Sequence, residues 1–287
     1  MLPGVKAFFD EVTNTVTYVV EDPHSNACVI IDPVLDFDPA SGRTSTASAD
    51  DVIGYIRNSS LDVVWILETH VHADHLSGAA YLKSEVGGRT GIGKLITEVQ
   101  TVFKGIFNLG DEFTVDGEQF DSLLDDGDLL EVGKLTVRVM HTPGHTPACL
   151  TFVAGNCAFI GDTMFMPDFG TARVDFPGGD AVKLYQSIQR ILALPDDTRL
   201  FMCHDYKPPG REAYAWESTV AEERANNIHI HAGVTKQEFV DFRVERDKQL
   251  SMPKLILPSI QVNIRAGQMP PAEENGVVYL KLPVDTL

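Results

Sequence analysis

Three histidines and an aspartate fall within six positions in the run Thr69-His70-Val71-His72-Ala73-Asp74-His75. The five residues Val63-Val64-Trp65-Ile66-Leu67 just before them read as a buried strand, which delivers the polar run to a turn. On extended backbone, residues two apart share a face, so His70 and His72 can address one point. A turn after them swings Asp74 and His75 back towards it. Imidazole and carboxylate are the donors that suit zinc, iron or manganese. A solvated polar turn would explain one such residue better than it explains four.

Composition narrows what such a site can serve. The chain has 287 residues, 44% of them hydrophobic, enough for one substantial core. Its 23 basic and 41 acidic residues leave a formal charge of -18, which repels phosphate backbones and argues against a nucleic-acid partner. No apolar run is long enough to span a membrane. The first residues show neither the pattern of a secretory leader nor an Arg-rich transit segment, so the expected compartment is the cytoplasm. Cys28, Cys149, Cys157 and Cys203 form no close pair and sit in apolar contexts, as reduced core thiols do. Cys203 stands apart because it adjoins His204.

In chain order, Val5–Phe9, Thr15–Val20 and Ala27–Ile31 predict strands, the last ending at Asp32-Pro33, and Asp36–Thr46 predicts a loop. Ser48 to Asp51 has capping-box spacing and predicts a helix to Asn58; Ala79–Val86 predicts another, broken by Gly87-Gly88. Ile92–Phe107 has helical spacing, and Asp125-Asp126-Gly127-Asp128 reads as a solvated turn because it lacks a calcium loop's offsets. Strands follow over Asp128–Val132, Leu135–Met140, Ala148–Val153, Cys157–Ile160 and Leu200–Cys203, with a helix over Gly179–Leu194 between the last two. Thr219/Glu222 and Thr235/Glu238 open two further helices, and the tail from Met252 reads as mostly extended. The expected organisation is a catalytic domain over residues 1–250, with residues 251–287 an extended tail packed on it.

Three later β-runs also end in potential ligands: His145 in Pro143-Gly144-His145, Asp162 after Gly161, and His204 after Cys203. Pro-Gly forces a tight turn at the first. A strand-end aspartate inside a core needs a positive partner, and Gly161 lets another group approach closely. In this order, the motifs resemble those of the metallo-β-lactamase superfamily over residues 5 to about 230. The resemblance implies an α/β fold of the αββα sandwich type: two mixed sheets flanked by helices, with metal ligands on loops at one edge.

Within that superfamily, His-Ala-Asp-His-Leu-Ser-Gly at 72–78, Gly-Asp-Thr-Met-Phe at 161–165, Gly-Thr-Ala-Arg-Val-Asp-Phe at 170–176, Cys-His-Asp-Tyr at 203–206 and Asn-Ile-Arg-Ala-Gly-Gln-Met-Pro at 263–270 are similar to the persulfide dioxygenases. That resemblance implies oxidation of glutathione persulfide by O2 and water to glutathione and sulfite. It implies one Fe(II) per chain on His70, His145 and Asp162 as the catalytic metal ligands, with zinc as an alternative or substitute. It makes His72, Asp74, His75 and His204 either supporting groups or ligands of a second metal. Arg173 and Tyr206 match the family's glutathione positions, and Lys207, Arg224 and Arg265 are further cations to inspect; an Arg173 pairing with Asp175 or Asp168 is the alternative to a substrate contact. A homodimer is expected by analogy. Two other functions stay open: a dinuclear zinc thioester hydrolase of the glyoxalase II type, and a non-catalytic metal-binding sensor or scaffold.

Overall fold

Apolar residues alternate along the early strands, and the two faces they create determine the layers. In the computed structural model, which describes residues 2–286, strands β1 (Gly4–Asp10), β2 (Thr15–Glu21), β3 (Ala27–Ile31), β4 (Val34–Asp38) and β5 (Arg43–Ser45) precede helix α1 (Ala47–Asn58). Then follow β6 (Asp62–Leu67), β7 (Leu76–Ser77), α2 (Ala79–Val86), β8 (Arg89–Gly93) and α3 (Ile96–Ile106). Next come β9 (Ser122–Leu124), β10 (Leu129–Val132), β11 (Leu135–His141), β12 (Leu150–Ala154) and β13 (Cys157–Phe159). The chain closes with α4 (Ala181–Leu192), β14 (Arg199–Phe201), β15 (Glu217–Thr219), α5 (Val220–Asn226), α6 (Lys236–Asp247) and α7 (Ile256–Asn263).

One mixed sheet runs β1-β2-β3-β6-β8-β9 and the other β10-β11-β12-β13-β14-β15. Tyr18, Val29, Ile31 and Leu67 of the first sheet pack on Val139, Phe152, Phe159 and Phe201 of the second. The alternate residues Val19, Cys28, Ile30 and Ile66 face outward under α1 and α2. On the far side Ala158, Leu200 and Met202 lie under α4, α5 and α6, with Leu184, Ile188, Val220 and Phe239 in contact. Two sheets inside and helices outside make the expected αββα sandwich.

Several boundaries differ from the sequence reading. The expected loop 36–46 holds the hairpin β4–β5. Helix α1 starts before the proposed capping box: Ser48 bonds to Asp36 instead, and Thr46 donates to the Asp50 carboxylate. The expected helix 92–107 is split, because Arg89–Gly93 pairs in parallel with β6 as β8. Gly91 there lies against Leu67 and Leu124, so small residues that read as helix breakers pack inside a sheet. The full capping box at Thr235/Glu238 is present, whereas at Thr219 only the side-chain bond to the Glu222 N–H forms. The tail is not extended throughout. It contains α7, whose Ile256 and Ile260 pack with Phe103, Phe107 and Phe113 in a buried cluster of their own.

Candidate metal centre

The ligand-type residues lie on the loops that leave the carboxyl ends of β6, β11, β13 and β14, at one edge of the two sheets. Each is held by local chemistry. Gly144 adopts φ +144°, and a Cβ there would lie 2.3 Å from the Leu184 Cα, so only glycine lets α4 pack against the His145 turn. Gly161 adopts φ +52°, with a would-be Cβ 2.7 Å from the Thr69 hydroxyl. This is the close approach that the Gly-Asp pair suggested, and it sets Asp162 beside the His70 loop.

The geometry separates two sets of donors. His70, His145 and Asp162 form one group with ligand atoms within 4.8 Å of one another; His72, Asp74, His75 and His204 form a second. Asp162 stands between them. Its Oδ2 lies 3.8 Å from His70 Nε2 and 3.7 Å from His145 Nε2, while its Oδ1 lies 3.3 Å from His204 Nε2. Asp74 Oδ2 is 3.3 Å from both His204 Nε2 and His75 Nδ1.

The outer ring nitrogens show which atoms face inward. His145 Nδ1 donates to the Arg173 carbonyl at 2.8 Å, and His204 Nδ1 donates to the Asn14 carbonyl at 3.2 Å. His72 Nε2 donates to Asp32 Oδ1 at 3.0 Å. The Thr69 hydroxyl donates to Asp32 Oδ2 at 2.8 Å and so accepts from His70 Nδ1 at 3.0 Å. In the neutral rings each of these partners leaves the other nitrogen as the one without a proton, as outer partners of metal-bound histidines do. His70 Nε2, His75 Nε2, His204 Nε2 and Asp162 Oδ1 are buried with no hydrogen-bond partner. Orphaned acceptors in a dry pocket are costly unless a cation satisfies them. The donor set, imidazole and carboxylate with no hard carbonyl cage, fits zinc or iron.

Electrostatics follow the same arrangement. Burial, with the neighbouring His72 and His145, holds the His70 pKa well below its ordinary value. Burial likewise keeps His75 below its ordinary value. For His72 burial opposes charge, but the Asp32 and Glu68 carboxylates overcome it and raise its pKa well above normal. Asp74 is also desolvated, yet His204 and His75 pull it well below the carboxylate range.

A cleft of about 700 Å³ opens onto this floor at His145, Asp162 and Asp74. Phe165, Phe169 and Tyr206 build one wall, with Tyr206 stacked on His204 at 5.6 Å between ring centroids. Arg173 lines the cleft too, but its guanidinium is held bidentately by Asp175 at 2.6 Å and by the Ser251 carbonyl at 2.7 Å. The remaining three cations of the sequence reading do not line it. Lys207 lies over the Tyr214 ring, Arg224 pairs with Asp196 near the end of α4, and Arg265 stacks over Phe113.

Sequence reasoning missed three groups. Asp32 organises His70 and His72 from a backbone with φ +51°, and its only signal was an aspartate ending a buried strand before proline. Asn263, in the supposed tail, donates to the carbonyls of His72 and His75, both at 2.8 Å. Arg246 and Lys254 line the cleft as exposed cations with no carboxylate partner among the described residues.

Comparison with known proteins agrees with this architecture. The chain is 56% identical to a probable metallo-hydrolase of Burkholderia pseudomallei, covering 99% of each chain. It is 48% identical to the glyoxylase B2 of Dictyostelium discoideum, covering 99% of this chain and 97% of that one. The mitochondrial persulfide dioxygenase ETHE1 of Homo sapiens is 30% identical, with 93% and 90% covered. Among solved structures, ETHE1 from Myxococcus xanthus superposes with a TM-score of 0.73 at 28% identity, over 92% of this chain and all of that one. The sequence profile of the metallo-beta-lactamase superfamily matches residues 10–204, which span both donor sets, and the chain belongs to that superfamily.

Proposed function

We propose that the protein is a dinuclear metallo-hydrolase that cleaves thioesters of an anionic thiol carrier of the glutathione type. One observation carries this reading: the two oxygens of the Asp162 carboxylate face separate histidine sets, and orphaned nitrogens wait on both sides. A carboxylate so placed would be available to a metal ion held by either set. His70 and His145 would hold one ion, and His72, Asp74, His75 and His204 the other. A bound pair supplies a water of lowered pKa and polarises a carbonyl oxygen.

The chain's own residues do the rest. The aromatic wall of Phe165, Phe169 and Tyr206 takes the apolar body of the acyl-thiol and keeps bulk water from the floor. Arg246 and Lys254 offer the anionic end of the carrier positive charge at the cleft that no carboxylate among the described residues neutralises. Asp32 and Thr69 keep His70 and His72 in the tautomers that present a lone pair inward. The full-length likeness to a glyoxylase and to a probable metallo-hydrolase supports hydrolysis over the oxidation suggested by the local motifs.

A second reading has its own observation. His70, His145 and Asp162 form a set of two histidines and one carboxylate that His72 does not join. That is the donor set of non-haem Fe(II) oxygenases, and the 30% likeness to a persulfide dioxygenase runs in the same direction. Metal analysis of the purified protein, with parallel assays on S-lactoylglutathione and glutathione persulfide, separates the two. Two metal ions per chain, thioester hydrolysis and no O2 uptake are expected. One iron per chain, with O2 uptake and sulfite formation, would overturn the hydrolase in favour of the dioxygenase.

A further inference from the structure

Cys203 is a buried thiol that neither reading employs. Its backbone is clamped on both sides: its carbonyl accepts from the Val16 N–H at 2.8 Å, and the Tyr18 hydroxyl donates to the Met202 carbonyl at 2.6 Å. The peptide planes on either side of the thiol are therefore fixed. It falls within 4.8 Å of ligand atoms of Asp162 and His204, and the three make a cluster of their own. It also lies 4.0 Å from His72 Nδ1, the nitrogen left free by the Asp32 bond. Independently of the cysteine, Asp162 Oδ1 and His204 Nε2 are buried 3.3 Å apart with no hydrogen-bond partner. Among the described residues the other three thiols enter no such group, and Cys149 is engaged by Thr146.

We infer that Cys203 is a further donor of this centre, its sulfur binding a thiophilic divalent ion seated with Asp162 and His204. On binding, the Sγ–H bond breaks, an Sγ–metal bond forms and the proton leaves to water. Neither sulfur nor metal changes oxidation state. Thiolate is a soft ligand, so the pocket discriminates towards zinc or cobalt and against manganese or magnesium. The inference rests on the reading in which both donor sets hold metal.

Cobalt(II), added alone to the metal-stripped full-length chain, provides the test. A near-ultraviolet sulfur-to-cobalt charge-transfer band is expected in the wild type and in Cys149→Ser, and its loss in Cys203→Ser. The visible ligand-field bands should remain in all three, showing that the histidines and carboxylates still bind. Affinity of Cys203→Ser for cobalt should fall at least as far as when an outer-shell partner is removed, roughly 10–100-fold. A wild-type spectrum with visible bands but no near-ultraviolet band overturns the inference and leaves the metal centre standing. So does a band that persists in Cys203→Ser. Failure of the wild type to take up cobalt overturns both. The wild-type spectrum alone is decisive should Cys203→Ser not fold.

Discussion

Asp32 holds one of the site's histidines directly and a second through Thr69, and occurs in none of its motifs. One oxygen accepts from His72 and from the Thr69 N–H, and the other accepts from the Thr69 hydroxyl. Asp32→Ala should therefore disturb both His70 and His72 while leaving every inward-facing donor in the chain. A loss of about 10–100-fold in metal affinity is expected, measured by competition with a chelator; an unchanged affinity would remove Asp32 from this role. Cations on the cleft wall divide differently. Arg173 already has a bidentate carboxylate, so its backbone carbonyl, which orients His145, matters more to the site than its charge. Arg246 and Lys254 have no such partner. Arg246→Ala combined with Lys254→Ala is expected to raise KM for an anionic thiol conjugate about tenfold or more with little change in kcat. The same KM in wild type and double variant would place the anionic end elsewhere.

At the scale of elements, α7 ties down the His70–His75 loop. Asn263 at its end accepts from the Ser77 N–H at 2.7 Å and donates to the carbonyls of His72 and His75. The loop that carries the ligands is thus pinned by a side chain nearly two hundred residues away. Asn263→Ala leaves three buried backbone groups unpaired. It is expected to destabilise the fold by on the order of 2–4 kcal/mol and to weaken metal retention as well. Denaturant melts in the presence and absence of metal would check both effects, and a variant as stable as the wild type would show that the loop holds its own shape. Sequence reading placed α2, α4 and α6 close to where they occur because each carries its own apolar period or cap. It misplaced β8 and α7, whose identities depend on what they pack against: Thr90–Gly93 is buried in the parallel sheet, and Ile256 and Ile260 are buried by α3.

For the whole molecule, stability should depend on pH through Glu223. This carboxyl on α5 is fully buried, and burial raises its pKa from 4.5 to about 7. Between these values the folded chain keeps a proton that the unfolded chain has released. Stability therefore falls as pH rises through that window and levels off above about 7, a total of about 3 kcal/mol. Glu223→Gln removes the ionisable group. Its Tm should exceed that of the wild type at pH 8 and converge with it near pH 5; parallel curves across that range would show that Glu223 does not titrate in the fold. Against a net charge of -18, Arg246 and Lys254 supply unpaired positive charge at the cleft itself. No helix of the described residues is long and apolar enough to cross a membrane.

The amino-acid sequence alone pointed to the superfamily and to seven candidate donors, because strand periodicity and the turn residues around His70–His75, His145, Asp162 and His204 are local properties of the chain. Tertiary structure decided how those donors divide. Whether Asp162 faces one histidine set or two depends on where β13 and β14 end relative to β6, and that register is set by the packing of the two sheets. The outer partners that select each histidine's inward nitrogen come from Asp32, Asn14 and the Arg173 carbonyl, distant in sequence and brought together only when the sandwich closes. Cys203 shows the same division: its sequence marks a buried strand-end thiol, and only the closed fold places its sulfur beside Asp162 and His204.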